Sequence, residues 1–357
     1  MTAGAAFVAM ALSLAACSSS STSTSSTPAT TSSGSASASA GNLSGTLNGS
    51  GSTFQLTYQQ AAIQSFKTVQ PGVTVNYGGG GSGKGRTDLA SGVVQYAGSD
   101  STIPAADQSQ FKGTVLYFPV VIGPISVAYN LSGVTTLKLT PTVIADIFQG
   151  KITNWNNSAI TSINSGVTLP NQAITIAVRS DSSGTTQNFS LFLEKAAPNW
   201  TLGSSSTIKW PGTARAGNGN GGVAQIVKST PGAIGYVDYS DAKATGLSSA
   251  EVQNKAGTYV APSPESATAA ADGTTVEPNL TFHAVWAPGA QAYPITYQSW
   301  VLVYEKQSSA NNASMLKAYI GYLVGPQGQA LLEPLGYAPL PSNIDSMAVA
   351  QVSKITS

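Results

Sequence analysis

The chain is poor in charge. Only 9% of its 357 residues are Asp, Glu, Lys or Arg, where about a quarter is usual for a globular protein. The formal net charge is +1. No global field of either sign therefore steers it toward nucleic acid or an anionic lipid surface. Cysteine and histidine are scarcer still, with one of each. Cys17, being alone, excludes a disulfide within the chain. His283 alone cannot build a zinc site, which takes several ligands. Neither Ser82 nor Ser183 stands in a G-x-S-x-G nucleophile elbow. No metal and no organic cofactor is expected.

Gly, Ser and Thr fill the space that charge leaves, a composition suited to a secreted or surface protein. The length allows two domains with sizeable cores. The first residues contain "AAFVAMALSLAAC", an apolar run too short to span a bilayer. It ends in "LAAC", which resembles the lipobox of bacterial lipoproteins, where the Cys thiol is acylated and becomes the new N-terminus. Residues 1–17 are thus expected to be a lipoprotein signal peptide with Cys17 as the lipidation site. No Lys or Arg precedes the run, a departure from the usual leader. Residues 18–40 are mostly Ser and Thr and have too little apolar surface to bury. They read as a disordered tether reaching roughly 25–30 Å.

From Leu43 onward, strand-like and helix-like stretches alternate, which argues for α/β architecture with helices on both faces of the sheets. Residues 54–69 carry Phe54, Tyr58, Ala62 and Phe66 at helical spacing, stopped by Pro71-Gly72. "VTVNY" reads as a strand, as do residues 93–100, 120–131 and 173–179, "AIGYVDY" and "ITYQSWVLVYE". Residues 139–150 read as a short helix capped by Thr140 or Thr142 and stopped by Gly150.

After "VTVNY" comes "GGGGSGKG", which tests as a P-loop. Gly78, Gly83 and Lys84 fit G-x-x-x-x-G-K-[ST], but Gly85 replaces the hydroxyl residue that would hold Mg²⁺. Three segments share one design, small hydroxyl and glycine residues opening a helix: residues 49–54, 81–83 and 181–185. Helix N-termini offer unpaired N–H groups and the positive end of a dipole, so they attract anions. Arg179 precedes the third, and its planar guanidinium suits a tetrahedral oxyanion.

Seven segments, "GSGSTF", "VNYGGGGSGKG", "YAGSDSTI", "GKITNW", "VRSDSSGTTQNF", "PGAIGYVDY" and "YPITYQSWVLV", occur in this order. The ordered set resembles PstS-type proteins, the phosphate-binding lipoproteins of bacterial ABC phosphate importers, from about residue 43 to about 340. The resemblance implies a two-domain hinged periplasmic-binding-protein fold. Each lobe would be a mostly parallel sheet flanked by helices, with the ligand in the interdomain cleft. Lobe one would comprise residues 41–125 and 298–357, and lobe two residues 126–297. It implies Thr53, Phe54 (through its N–H), Ser82, Asp100, Arg179, Ser183, Gly184 and Thr185 as phosphate ligands, with Asp181 pairing with the arginine. It departs from the family at Gln55, where Pro is frequent, and at Gly83, where Ser is frequent. Lys84 and Arg86 are additional cations beside the loop.

The glycines are then expected to cradle free phosphate rather than a nucleotide. The implied function is extracytoplasmic capture of inorganic phosphate and delivery to an ABC permease by a monomer held to the membrane by its lipid. No nucleic acid takes part and no bond is broken. The alternatives are a surface phosphatase or phosphotransferase using Ser183 or Thr185, and a binding protein for another oxyanion.

Overall fold

The computed structural model describes residues 43–357. The expected signal segment, Cys17 and the expected Ser/Thr tether lie outside the described residues. Twelve strands follow in chain order: β1 (Gly45–Gly51), β2 (Val73–Gly78), β3 (Tyr96–Ser99), β4 (Val115–Tyr129), β5 (Lys138–Leu139), β6 (Thr175–Arg179), β7 (Arg215–Gly217), β8 (Ala233–Asp238), β9 (Ser248–Ser249), β10 (Glu251–Gln253), β11 (Tyr259–Val260) and β12 (Thr296–Tyr304). The first seven helices are α1 (Leu56–Val69), α2 (Ser82–Ala90), α3 (Pro141–Phe148), α4 (Ser158–Thr161), α5 (Gly184–Ala196), α6 (Gly219–Ser229) and α7 (Tyr239–Thr245).

The main sheet is mixed, in the order β2-β1-β3-β12-β4-β8-β6-β7, with β9 also on β4. Its outer strands pair in parallel on both wings: β1 with β2 and β3, and β6 with β7 and β8. At the centre, β12 runs antiparallel to β3 and β4, and β4 antiparallel to β8. β4 belongs to both wings. Its residues 115–124 pair with β12 and its residues 125–129 with β8. Every residue of β4 after Val115 is buried, which explains its near-continuous apolar run.

One local expectation changes and one is narrowed. Residues 49–51 are not loop but the end of β1. The strand was hidden because Leu47 is its only large apolar residue, and it is paired on both sides. The cap of α3 is Thr140, whose Oγ1 accepts the Val143 N–H, with Pro141 in the first turn. Gly150 follows with φ 73°, the left-handed stop that glycine tolerates.

The core runs continuously under both wings. At its centre the ring of Phe54 lies 4.1 Å from Tyr297 and 5.2 Å from Tyr337. The Tyr337 hydroxyl, donating to Phe54 O at 2.7 Å and exchanging with Ser240 Oγ at 2.8 Å, ties the two wings together. Among the described residues, no helix is long and apolar enough to cross a membrane.

Candidate functional site

All the loops singled out above emerge at the carboxyl ends of parallel strands, where open α/β sheets place their ligands. From one wing come Ser52, Thr53 and Phe54 after β1, Ser82 opening α2, and Asp100 after β3. From the other come Arg179 ending β6, the turn through Asp181, and Ser183 to Thr185 opening α5. The wings meet along this seam. The Gly83 N–H donates to Ser182 O at 3.0 Å, and Asn188 Nδ2 donates to Asp100 O at 2.7 Å.

Glycine at position 85 has a structural cause. A Cβ there would stand 2.7 Å from Gly51 Cα and 2.8 Å from Ser50 O. Helix α2 thus lies directly on the backbone of β1, which a Ser or Thr would hold off. The sequence that nearly reads as a P-loop is a helix start packed on a strand end.

Asp100 is 2% exposed and surrounded by hydroxyls. Its Oδ1 accepts from Ser52 Oγ at 2.5 Å and from Ser299 Oγ, and its Oδ2 from Ser82 Oγ at 3.1 Å. Burial pushes its carboxyl pKa up, while the three hydroxyls and Arg179 pull it back. A carboxylate oxygen accepts about two hydrogen bonds. Oδ1 is therefore full, and Oδ2 keeps one acceptor position.

Arg179 is held by Asp181, which takes Nε–H at 2.8 Å and a second bond from Nη2. Burial raises the Asp181 carboxyl, but the hydrogen bonds and charge of Arg179 outweigh it and leave the pKa below its ordinary value. The Gly219 N–H adds a bond of 3.0 Å. The other nitrogen, Nη1, has only long neutral partners, Thr185 Oγ1 at 3.3 Å and Asn220 Oδ1 at 3.2 Å. Ser183 Oγ caps α5 by accepting from Thr186 N–H at 3.1 Å. The N–H groups of Gly184 and Thr185 begin the helix without a partner inside it.

Thr53 reaches across the seam, its Oγ1 accepting from Asn220 N and Nδ2 at 3.3 and 3.2 Å. The Phe54 N–H donates to Ser52 Oγ at 3.1 Å, while its ring is buried. Gly184 backs onto Asp100 and Ser82, so closely that a Cβ would lie 2.5 Å from Asp100 Oδ2. The expected residues thus form one linked network, buried except for the half-buried Thr53 and Asp181. Lys84 is not part of it. It pairs with Asp88 at 2.5 Å on its own helix, half-exposed to solvent.

Three members escaped the sequence reading. Ser52 was inside a quoted segment but not singled out. Asn220 belongs to "GNGNGG", a fourth small-residue helix start of the same design, so the same signal was available. Ser299 carried no local signal. It is brought to Asp100 by β12, whose register shifts between Ser299 and Trp300, a bulge of the kind that re-aims side chains.

Comparison with known proteins places the fold in a family. Residues 23–327 match the PBP superfamily domain. The phosphate-binding protein PstS of Pasteurella multocida is 35% identical over 314 residues, covering 86% of this chain and 89% of that one. Phosphate-binding protein PstS 3 of Mycobacterium leprae is 34% identical, covering 84% of each. Among solved structures, a high-affinity periplasmic phosphate-binding protein (PfluDING) holding phosphate superposes with a TM-score of 0.71. It is 23% identical and is matched over 86% of this chain and 94% of its own, a likeness of fold.

Proposed function

The chain belongs to the PstS phosphate-binding proteins of the PBP superfamily, and from that premise we propose that it binds inorganic phosphate outside the cytoplasmic membrane and passes it to an ABC permease. The observation that carries the reading is the meeting at one seam of Arg179, whose Nη1 has only long bonds to neutral side chains, and Asp100, with one open acceptor position.

Phosphate near neutral pH carries both negative charge and at least one proton. Its charged oxygens suit the Nη1/Nη2 edge of Arg179, the first N–H groups of α5 and the hydroxyls of Thr53, Ser183 and Thr185, while the Phe54 N–H and the Ser82 hydroxyl would exchange their present acceptors, Ser52 Oγ and Asp100 Oδ2, for phosphate oxygens. Its P–OH suits Asp100 Oδ2, which as a carboxylate only accepts. Asp181 fixes the plane of the guanidinium. Sulfate has the shape but not the proton, and would set acceptor against acceptor at Asp100. Calorimetry of the purified, anion-stripped protein against phosphate, sulfate and arsenate tests this. Sulfate binding as tightly as phosphate would refute it.

The lobes proposed are residues 41–125 with 298–357, and residues 126–297, hinged where β4 and β12 pass between the wings. The site favours holding over transfer. Ser183 spends its Oγ on a cap, and Thr185 faces Arg179 and Asn220. Turnover of p-nitrophenyl phosphate is expected to be absent, and turnover dependent on Ser183 or Thr185 would restore the enzyme reading. The chain is proposed to work as a monomer anchored through Cys17. Cys17→Ser is expected to leave the membrane fraction with phosphate affinity intact; unchanged membrane association would remove the anchor.

A further inference from the structure

Arg86 is a charge that the phosphate site does not use. It lies on α2 and is only 6% exposed. Its Nη1 donates to Ser99 Oγ at 3.1 Å and Ser101 Oγ at 2.9 Å, both neutral. Among the described residues, the ion pairs within 4.0 Å are Lys84–Asp88, Lys151–Asp146 and Arg179–Asp181, so no carboxylate compensates Arg86 directly. Its Nε and Nη2 have no protein acceptor, yet they are not among the sealed, unpartnered atoms of the interior. They retain access to solvent space.

That space is a groove of about 320 Å³ along the seam. Arg86, Lys84 and Asp107 line it from one wing, and Ser182 and Ser206 from the other. Ser182 Oγ donates to Ser206 Oγ at 3.0 Å, and Gly83 joins Ser182 across the seam at 3.0 Å. A guanidinium this far out of water with only neutral partners carries an unmet desolvation cost. Burial accordingly lowers its pKa, partly offset by the more distant Asp107 and Asp100. Arginine nevertheless remains charged, with one face of its donor fork free.

We propose that this groove is a second oxyanion site, separate from the one at Arg179, which takes a small inorganic anion on the open edge of Arg86 beside Lys84 and Ser182. Nothing in the groove plays the part of Asp100. Its one carboxylate, Asp107, is half-exposed and accepts from Gln110 Nε2 at 3.1 Å. An anion there needs no proton, so sulfate serves as well as phosphate. Because both wings line the groove, an occupant favours their closed arrangement by mass action.

The test uses sulfate as the probe, in equilibrium dialysis at low ionic strength against protein carrying one equivalent of phosphate. One equivalent of sulfate is expected to bind without releasing the phosphate. Arg86→Gln is expected to weaken sulfate by about tenfold or more, the scale of a charge-assisted hydrogen bond. Asp107→Asn, which leaves the buried network untouched, is expected to tighten it a few fold by removing a like charge. Sulfate that binds nowhere, binds only by displacing phosphate, or binds Arg86→Gln equally well overturns the proposal. Should Arg86→Gln fail to fold, unchanged sulfate affinity in Asp107→Asn overturns it instead. If the protein held no phosphate at all, Arg86-dependent sulfate binding to the anion-free protein would still stand, so the two readings fail separately.

Discussion

In Asp100→Asn one carboxylate oxygen becomes an amide that donates. The surroundings accommodate the change. The retained oxygen keeps the hydroxyls of Ser52 and Ser299, and Ser82 Oγ, 3.1 Å from Oδ2, turns from donor to acceptor. What changes is the face toward the ligand. Phosphate loses a charge-assisted acceptor for its OH, worth about 1.5–3 kcal/mol in a buried site. Sulfate loses a clash between two acceptors and gains a donor, a term of about the same size and opposite sign. The phosphate-to-sulfate affinity ratio is therefore expected to fall by about 3–6 kcal/mol, roughly two to four powers of ten. Competition of sulfate against phosphate in both proteins, at one pH and salt concentration, measures the ratio directly.

A control separates this from misfolding. Burial raises the folded-state pKa of Asp100 above the ordinary 3.8. For an acid so shifted, the native state holds the proton more tightly than the unfolded chain. Its contribution to stability falls as pH rises from 3.8 through the folded value and stays low above it. Removing the carboxylate is then expected to leave anion-free Asp100→Asn at least as stable as wild type at neutral pH, by thermal melt. An unchanged anion ratio in a stable variant that still binds both anions refutes the selectivity mechanism.

Arg179→Ala removes the charge-assisted bonds to the anion and is expected to cost phosphate binding about 2–5 kcal/mol, with Arg179→Lys recovering part of it; near-wild-type calorimetry for Arg179→Ala contradicts the assignment. Gly184→Ala places a methyl 2.4 Å from Ser82 Oγ and 2.5 Å from Asp100 Oδ2, so it is expected to hold the wings apart, raising the phosphate Kd and the radius of gyration measured by X-ray scattering with ligand. Asp238 is fully buried with Oδ2 unpartnered, and burial beside Asp241 raises its pKa well above 3.8. By the same sign, its ionised form destabilises the fold at neutral pH, and Asp238→Asn, which still caps α7, is expected to raise Tm there but not near pH 3; a Tm lowered at neutral pH contradicts this.

The segments that open helices were legible because anion-binding loops and helix caps share a local grammar of Gly, Ser and Thr. Thr53, Ser82 and Ser183 could be read from neighbours in sequence alone. Ser299 could not, since its meeting with Asp100 spans 199 positions and depends on a bulge in β12. β1 was obscured for the opposite reason. Its polar, glycine-rich residues 48–51 look like loop, and only pairing with β2 and β3 makes them strand. Arg86 was visible as an extra cation, but nothing local distinguished a buried guanidinium from a solvated one.

The place of β12 in the sheet bears on how the protein comes into being. The chain is made N-terminus first, and β1 to β4 are complete by residue 129. Yet β3 and β4 are not neighbours. The strand between them is β12, residues 296–304. Until it arrives, the nascent wing carries two exposed strand edges, one of them the long apolar β4, and such edges invite aggregation. This wing is thereby expected to stay incomplete for much of the length of synthesis, whereas β6, β7 and β8 of the other wing are all made by residue 238 and pair without β12. A chain ending at residue 290 is expected to remain protease-sensitive even across residues 43–129, whereas a chain ending at 306 gains its missing strand; resistance of the shorter chain in that region contradicts the order. The strand that delivers Ser299 to Asp100 is thus also a timer, coupling completion of the ligand site to completion of the polypeptide.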